Sequence, residues 1–396
     1  MSQPQEPRPR GGYPVGAHVS VAELAADPHP ALRRLREAEP VSWLPAIGGW
    51  LVTSAHLVDR VLREPGAFTV DDPRFTTARV VGPSMLSLDG TEHRRHRDPF
   101  ARGLRVPDTQ ARLAEAVAGE TAELVAELAS GPGAAELRRG LAGRLAVAVM
   151  ADMLGLDAKP AQLLSWYDAI VGGVSALSVP DAAVADTAAA AFGELSACVE
   201  AALAQPAEPS VLTFAASSLP AAEIVSNAAV MLFGGIETTE GMICNAVWYL
   251  LRDQTAWRDV TADRHMIGNA VEEALRLEPA AAVVDRYATA DVTLGTAEIR
   301  SGDLVRVSIT AANRDPAVFT DPDRFDIHRG NARQHWAFAV GPHFCVGAQL
   351  ARTEAVAAVS ALLDRLPGLR LDPDRPSAPQ GLVFRKPPAL HVRWNA

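Results

Sequence analysis

From about Val106 to Pro279, apolar residues recur every three to four positions among Ala, Leu and Glu, the period that lays one face of an α-helix against a core. Breaks at Gly131 to Gly133 (GPG), at Pro180 and across QPAEPS (Gln205 to Ser210) divide this body into separate helices. One of them is unusually long. Pro220 suits a first helical turn, and the periodicity persists to about Leu251, a run of roughly 32 residues and about 48 Å at 1.5 Å per residue. A helix of that length crosses a whole domain.

Shorter runs read as strands. VSWLPAIGGWLVTS (Val41 to Ser54) predicts two strands around Gly48 and Gly49. Strand-like pieces return at Ala281 to Ile299, at Leu304 to Thr310 and at Leu382 to Trp394. The β structure is thus divided between distant parts of the chain. No internal repeat interrupts it, and the proline-bearing segments are too short to serve as interdomain linkers. The expectation is a mainly α fold with small β-sheets, one interwoven domain over residues 1–396, with a loose tail of about 15 residues.

Composition narrows the function. With 396 residues, 48% of them hydrophobic, the chain can bury a large core. A formal net charge of -10 offers nucleic acid no overall attraction. No run of about 18 consecutive apolar residues occurs, and the polar start MSQPQEPRPRGGYPVG is unlike an anchor or a secretory signal. The expected setting is cytoplasmic, with no membrane and no nucleic acid.

Chemistry concentrates at one cysteine. Cys198, Cys244 and Cys345 are widely separated and form no CxxC pair. A single cysteine is ordinarily a small buried apolar residue. Cys345, however, lies in FAVGPHFCVG, between Gly341 and Gly347 and beyond the aromatic Phe338. Glycines there let a loop turn tightly and approach a flat group closely. From Ala348 to Leu366, Val359, Leu362, Leu363 and Leu366 make an apolar helical stripe, so the sulfur is expected at a helix N-terminus whose dipole favours thiolate.

Phe338, Gly341, His343, Cys345 and Gly347 match the pattern FxxGxHxCxG, through which the chain resembles the cytochrome P-450 monooxygenases. The resemblance runs in order along essentially the whole sequence. It implies the P-450 fold, with a long central oxygen-binding helix and a cysteine-ligand loop. It also implies haem b, with Cys345 as the proximal iron ligand whose thiolate favours cleavage of the oxygen–oxygen bond. Phe338, Gly341 and Gly347 would contact the haem, while His93 and Arg97 in EHRRHR, Arg286 in VVDRYA and His343 resemble the propionate contacts.

Two further motifs agree. Glu273 and Arg276 in VEEALRLEP stand three apart on one helix face, ordinarily a surface pair. With Arg324 of DPDRF they resemble the family's structural ExxR triad. In FGGIETTEG, Gly234 and Gly235 weaken the long helix and predict a widened groove. Similarity to the family's acid–alcohol pair assigns Thr238 to hydrogen-bond the bound oxygen and Glu237 to relay protons through water. Glu240 receives no role.

The implied activity is O2-dependent oxidation, by default hydroxylation, of a small hydrophobic molecule, in a secondary-metabolism setting. Electrons would come from NAD(P)H through an external ferredoxin reductase and ferredoxin. Epoxidation, demethylation, nitration or oxidative coupling would use the same machinery, and a non-catalytic haem sensor or carrier would not need Glu237 and Thr238. By position, Phe75, Val80, Met85, Val230, Phe233, Val283, Val284 and Val383 line the substrate pocket.

Overall fold

The longest apolar run folds as a single helix of 32 residues, Ala221–Arg252. In this computed structural model, residues 12–176, 182–205 and 210–395 are described. The break expected at Pro180 and most of the QPAEPS break lie outside the described residues, as does the first part of the expected tail. The remainder of that tail is held: Tyr13 meets Trp50 edge-on with ring centroids 5.1 Å apart, and Glu39 accepts the Val15 and Gly16 N–H groups.

The helical pattern resolves into, among others, α1 (Ala55–Arg63), α2 (Thr76–Val81), α3 (Gly90–Arg105), α4 (Pro107–Ala129), α5 (Gly143–Leu154), α6 (Ala182–Ala204), α7 (Ala221–Arg252), α8 (Ile267–Leu277) and α9 (Ala348–Arg365). The strands are β1 (Val41–Leu44), β2 (Gly49–Val52), β3 (Phe68–Thr69), β4 (Ala134–Glu136), β5 (Val283–Ala288), β6 (Val292–Leu294), β7 (Ala297–Ile299), β8 (Leu304–Ser308), β9 (Arg370–Leu371) and β10 (His391–Arg393).

Two compact units emerge. The first takes the described part of Met1–Val70 with Glu272–Phe344 and Pro379–Arg385. Its five-stranded sheet has the order β1-β2-β8-β5-β3, with β2 and β8 parallel and Trp43 opposite Trp50. β6 and β7 form a separate hairpin. Late residues staple early ones here: buried Arg385 donates to Glu278 at 2.6 Å and to the carbonyls of Ala25 (3.0 Å) and Gly381 (2.8 Å).

The second unit takes Asp71–Val271, Cys345–Ala378 and the described part of Lys386–Ala396. In it α7 packs on α5 and α9, and α9 on α4. β10 pairs with both β4 and β9. The expected strand from Leu382 to Trp394 shrinks to β10 and a single bridge from Phe384 to Ala281, because Pro387 and Pro388 cannot donate to a ladder. β4 was not legible at all. Its sequence, AAE, carries no strand preference and pairs only because β10 is there.

Among the described residues one helical window, Asp186–Ala204, is apolar and long enough to cross a membrane, with 22% of it buried. Its Ala191, Leu195 and Val199 sit four apart in the second unit's core, so that face is used for packing.

Candidate active site

The ExxR pair is a buried cluster in the first unit. Glu273 and Arg276 are both 0% exposed, and Arg276 donates from Nε (2.7 Å) and Nη2 (2.8 Å) to the two carboxylate oxygens. Its other protons go to the carbonyls of Asn313 (2.9 Å), Pro322 (2.7 Å) and Arg324 (3.1 Å). The third arginine is Arg329, not Arg324. Arg329 Nε lies 2.9 Å from Glu273 Oε1, whereas the Arg324 side chain is 65% exposed and pairs with Asp326 at 3.1 Å. The turn at Arg324 offers its backbone carbonyl inward and sends its guanidinium out. Asn313 in turn accepts the Trp336 N–H at 2.7 Å, so the cluster is tied to the start of the cysteine loop.

That loop turns where its glycines predict. Gly341 has φ 75, and a Cβ there would lie 2.6 Å from the Leu62 carbonyl oxygen on α1, so only glycine fits. Between Phe344 and Cys345 the chain passes from the first unit to the second. None of the residues from Trp336 to Gly347 is buried, and Phe344 is 45% exposed. A Cβ on Gly347 would meet nothing within 4 Å. The sulfur therefore stands just ahead of α9, on a loop with an open, largely apolar face.

Burial pushes the Cys345 thiol up, against the Gly347 N–H and the cations Arg97 and Arg352. The helix dipole alone suggested a thiolate. Desolvation opposes it, and a metal bound at this sulfur would favour the thiolate. Among the described residues no cluster of three or more His, Cys, Asp or Glu is arranged to hold a metal. The open loop face, with the cations Arg97 and Arg352 nearby, would suit a flat macrocycle bearing carboxylates, with Cys345 as the residue to hold its metal.

On α7 the helix is continuous through Gly234 and Gly235. Gly235 serves close packing instead, since a Cβ would meet Met150 Sδ on α5 at 2.2 Å, while Gly234 faces open space. Thr238 Oγ1 donates to the Gly234 carbonyl at 2.6 Å. With its only proton used there, the hydroxyl is left as an acceptor toward any other partner.

Glu237 is buried with Lys386 Nζ at 2.8 Å. Glu240, fully buried, is bonded by Arg138 and lies 3.5 Å from the same ammonium. Arg138 begins a π-helical turn, Arg138–Ala142, a rare form that often marks function.

The other nominated residues divide between the two units. His93 on α3 is buried and Arg97 half-buried, and Arg286 on β5 is buried with a 2.8 Å bond to the Asp285 carbonyl. Phe338 lies 5.9 Å from the His335 ring, and His343 is half-buried. Val80, Met85, Val230 and Phe233 join one apolar cluster in the second unit. Phe75, ahead of α2, is half-buried. In the first unit Val283 is buried, Val284 packs against the sheet's core and Val383 is 38% exposed.

Glu354 on α9 was not foreseen. It is 3% exposed, its Oε2 has no hydrogen-bond partner among the described residues, and burial pushes its carboxyl well above the usual range. A raised folded-state pKa gives stability that is complete below the unfolded pKa and is lost as pH rises through the folded one. Glu354→Gln should therefore gain on the wild type by up to about 1.4 kcal/mol per pH unit above roughly pH 4.5. Melting curves across pH check this, and a stability difference independent of pH would refute it.

A cysteine just ahead of α9 and an acid–alcohol pair on the long buried α7 are the features through which the sequence resembles the haem-thiolate oxygenases. Residues 210–392 match the family model described as Cytochrome P450. Nocardicin C N-oxygenase of Nocardia uniformis subsp. tsuyamanensis is 34% identical, covering 96% of this chain and 98% of that protein. Cytochrome P450 monooxygenase PikC of Streptomyces venezuelae is 35% identical, covering 94% and 92%. The crystal structure of CalO2 superposes with a TM-score of 0.85 at 28% identity, covering 95% and 99%. The chain belongs to the cytochrome P450 family. It is a haem-thiolate monooxygenase of the bacterial type that oxidises a small molecule with electrons from a redox partner.

Proposed function

We propose that Cys345 ligates the iron of haem b, and that Glu237 and Thr238 manage protons on the substrate side. The observation that carries this reading is the back-bonded Thr238, which leaves an oriented acceptor beside an open stretch of an otherwise apolar helix. The haem, when bound, supplies activation of O2 and oxidation of the substrate. His93, Arg97, Arg286 and His343 hold its propionates, and Phe338, Gly341 and Gly347 form the loop against its face. Glu273, Arg276 and Arg329 keep that loop in register and take no part in chemistry.

Lys386 holds the Glu237 carboxylate at one end of the proton path, and the Thr238 hydroxyl accepts a hydrogen bond at the other, fixing where a proton resides. Val80, Met85, Val230 and Phe233, with Phe75, Val283, Val284 and Val383, select a hydrophobic substrate, which is hydroxylated. The chain works as a single P-450 domain in the cytoplasm, with ferredoxin and ferredoxin reductase delivering electrons from NAD(P)H.

Reconstitution with those partners tests the reading. Thr238→Ala should keep haem content and cofactor oxidation near wild type while product falls and hydrogen peroxide rises. One oriented hydrogen bond of about 1–3 kcal/mol changes that partition about 5- to 150-fold. Thr239→Ala is the control, since the next helical residue points about 100° away. Full coupling in Thr238→Ala, or uncoupling by Thr239→Ala alone, would reject the assignment.

A further inference from the structure

The turn from Ser84 to Leu88 joins α2 to α3 and keeps part of its bonding internal, with Ser84 N–H donating to Ser87 Oγ at 3.0 Å. Met85 N–H instead reaches Asn227 Oδ1 on α7 at 2.8 Å. A backbone N–H only donates, so this bond settles which way the Asn227 amide faces. Asn227 Nδ2 then donates to the Glu223 carbonyl at 2.7 Å and to His96 Nδ1 on α3 at 2.9 Å.

His96 Nδ1 is therefore an acceptor, and the ring proton sits on Nε2, 3.6 Å from Glu223 Oε2. Arg95 Nη2 lies 3.2 Å from that nitrogen, but its two protons go to Glu92 (2.8 Å) and Glu223 (2.9 Å). His96 is 2% and Asn227 0% exposed. All these residues belong to the second unit.

We propose that Asn227 and His96 form a latch that holds the Met85 backbone against α7, and that it closes only while His96 is neutral with its proton on Nε2. Protonation adds a donor at Nδ1, directly opposite the Asn227 NH2. Turning the amide over relieves that clash but sets NH2 against Met85 N–H and Oδ1 against the Glu223 carbonyl. Either way bonds are lost, and the cheapest to release is the one to the short Ser84–Leu88 turn.

Three charged groups face His96: Glu223 from α7, and Arg95 and Glu92 from α3 itself. Burial is the largest influence and holds the His96 pKa below the ordinary histidine value, with Glu223 opposing, Arg95 adding and Glu92 opposing. The latch is thus closed at neutral pH and opens only below the ordinary histidine range. Met85 shares its apolar cluster with Val230, so opening loosens that side of the cluster. The consequence for substrate rests on reading Met85 as a pocket residue, whereas the latch itself does not.

Hydrogen–deuterium exchange on the holoenzyme, resolved at Met85 and divided by the intrinsic rate at each pH, tests the proposal. Exchange at Met85 should quicken about tenfold or more between about pH 8 and about pH 5. His96→Leu should keep the slow rate without a pH step, and Asn227→Ala should exchange fast throughout. A flat wild-type profile overturns the latch and needs no variant to fold. A step surviving in His96→Leu, or wild-type protection in Asn227→Ala, overturns it as well.

Discussion

Cys345→Ala should abolish the strongly red-shifted Soret band of the reduced, carbon monoxide-treated protein. Monooxygenase turnover should fall by at least about a thousandfold, or roughly 4 kcal/mol. No other thiol is equipped to substitute. Cys244 is fully buried within α7 and Cys198 lies on α6, so neither stands on a loop ahead of a helix as Cys345 does. His343 stands two residues away, but a neutral nitrogen donor does not supply the electron density that produces this band. Persistence of the band in the variant would show that the ligand is a different residue.

Glu273→Ala or Arg276→Ala should each cost about 3–5 kcal/mol, because either leaves a buried charge without its partner. Against a typical total of about 5–15 kcal/mol, that should show as lost haem and soluble yield. Exchanging both residues for apolar ones should rescue little, since Arg276 also satisfies the carbonyls of Asn313, Pro322 and Arg324. The series also separates the two candidate third arginines. Arg329→Ala should be severe and Arg324→Ala should lie within about 0.5 kcal/mol of wild type. Unfolding curves that rank them the other way would restore Arg324 to the cluster.

The long helix and the cysteine loop were legible because each is specified by neighbours in sequence: a sustained 3.6-residue period for α7, and glycines flanking a cysteine for the loop. What failed depends on partners that sequence does not place. Arg324 and Arg329 lie five apart, and only the turn decides which guanidinium points inward. Lys386 is one of two lysines in the chain, and that scarcity was a usable signal, yet nothing near it in sequence points to Glu237. Gly235 read as a weakness in the helix until Met150 was found against it.

Arg385 binds carbonyls of residues made some 360 positions earlier, and that separation has a meaning during synthesis. The first unit needs segments on either side of an insertion of about 200 residues, so at about 5–20 residues per second its N-terminal strands wait roughly 10–40 s for β5 and β8 to leave the ribosome. Completing it takes longer, until Arg385 emerges. Over that interval β1 and β2 can pair only with each other, and the edge of β2 that β8 later takes stays open. Most of the second unit, by contrast, is continuous from Asp71 to Val271 and can collapse as it appears. The segment that is translated first, up to Val70, is therefore the one that waits longest for its partners.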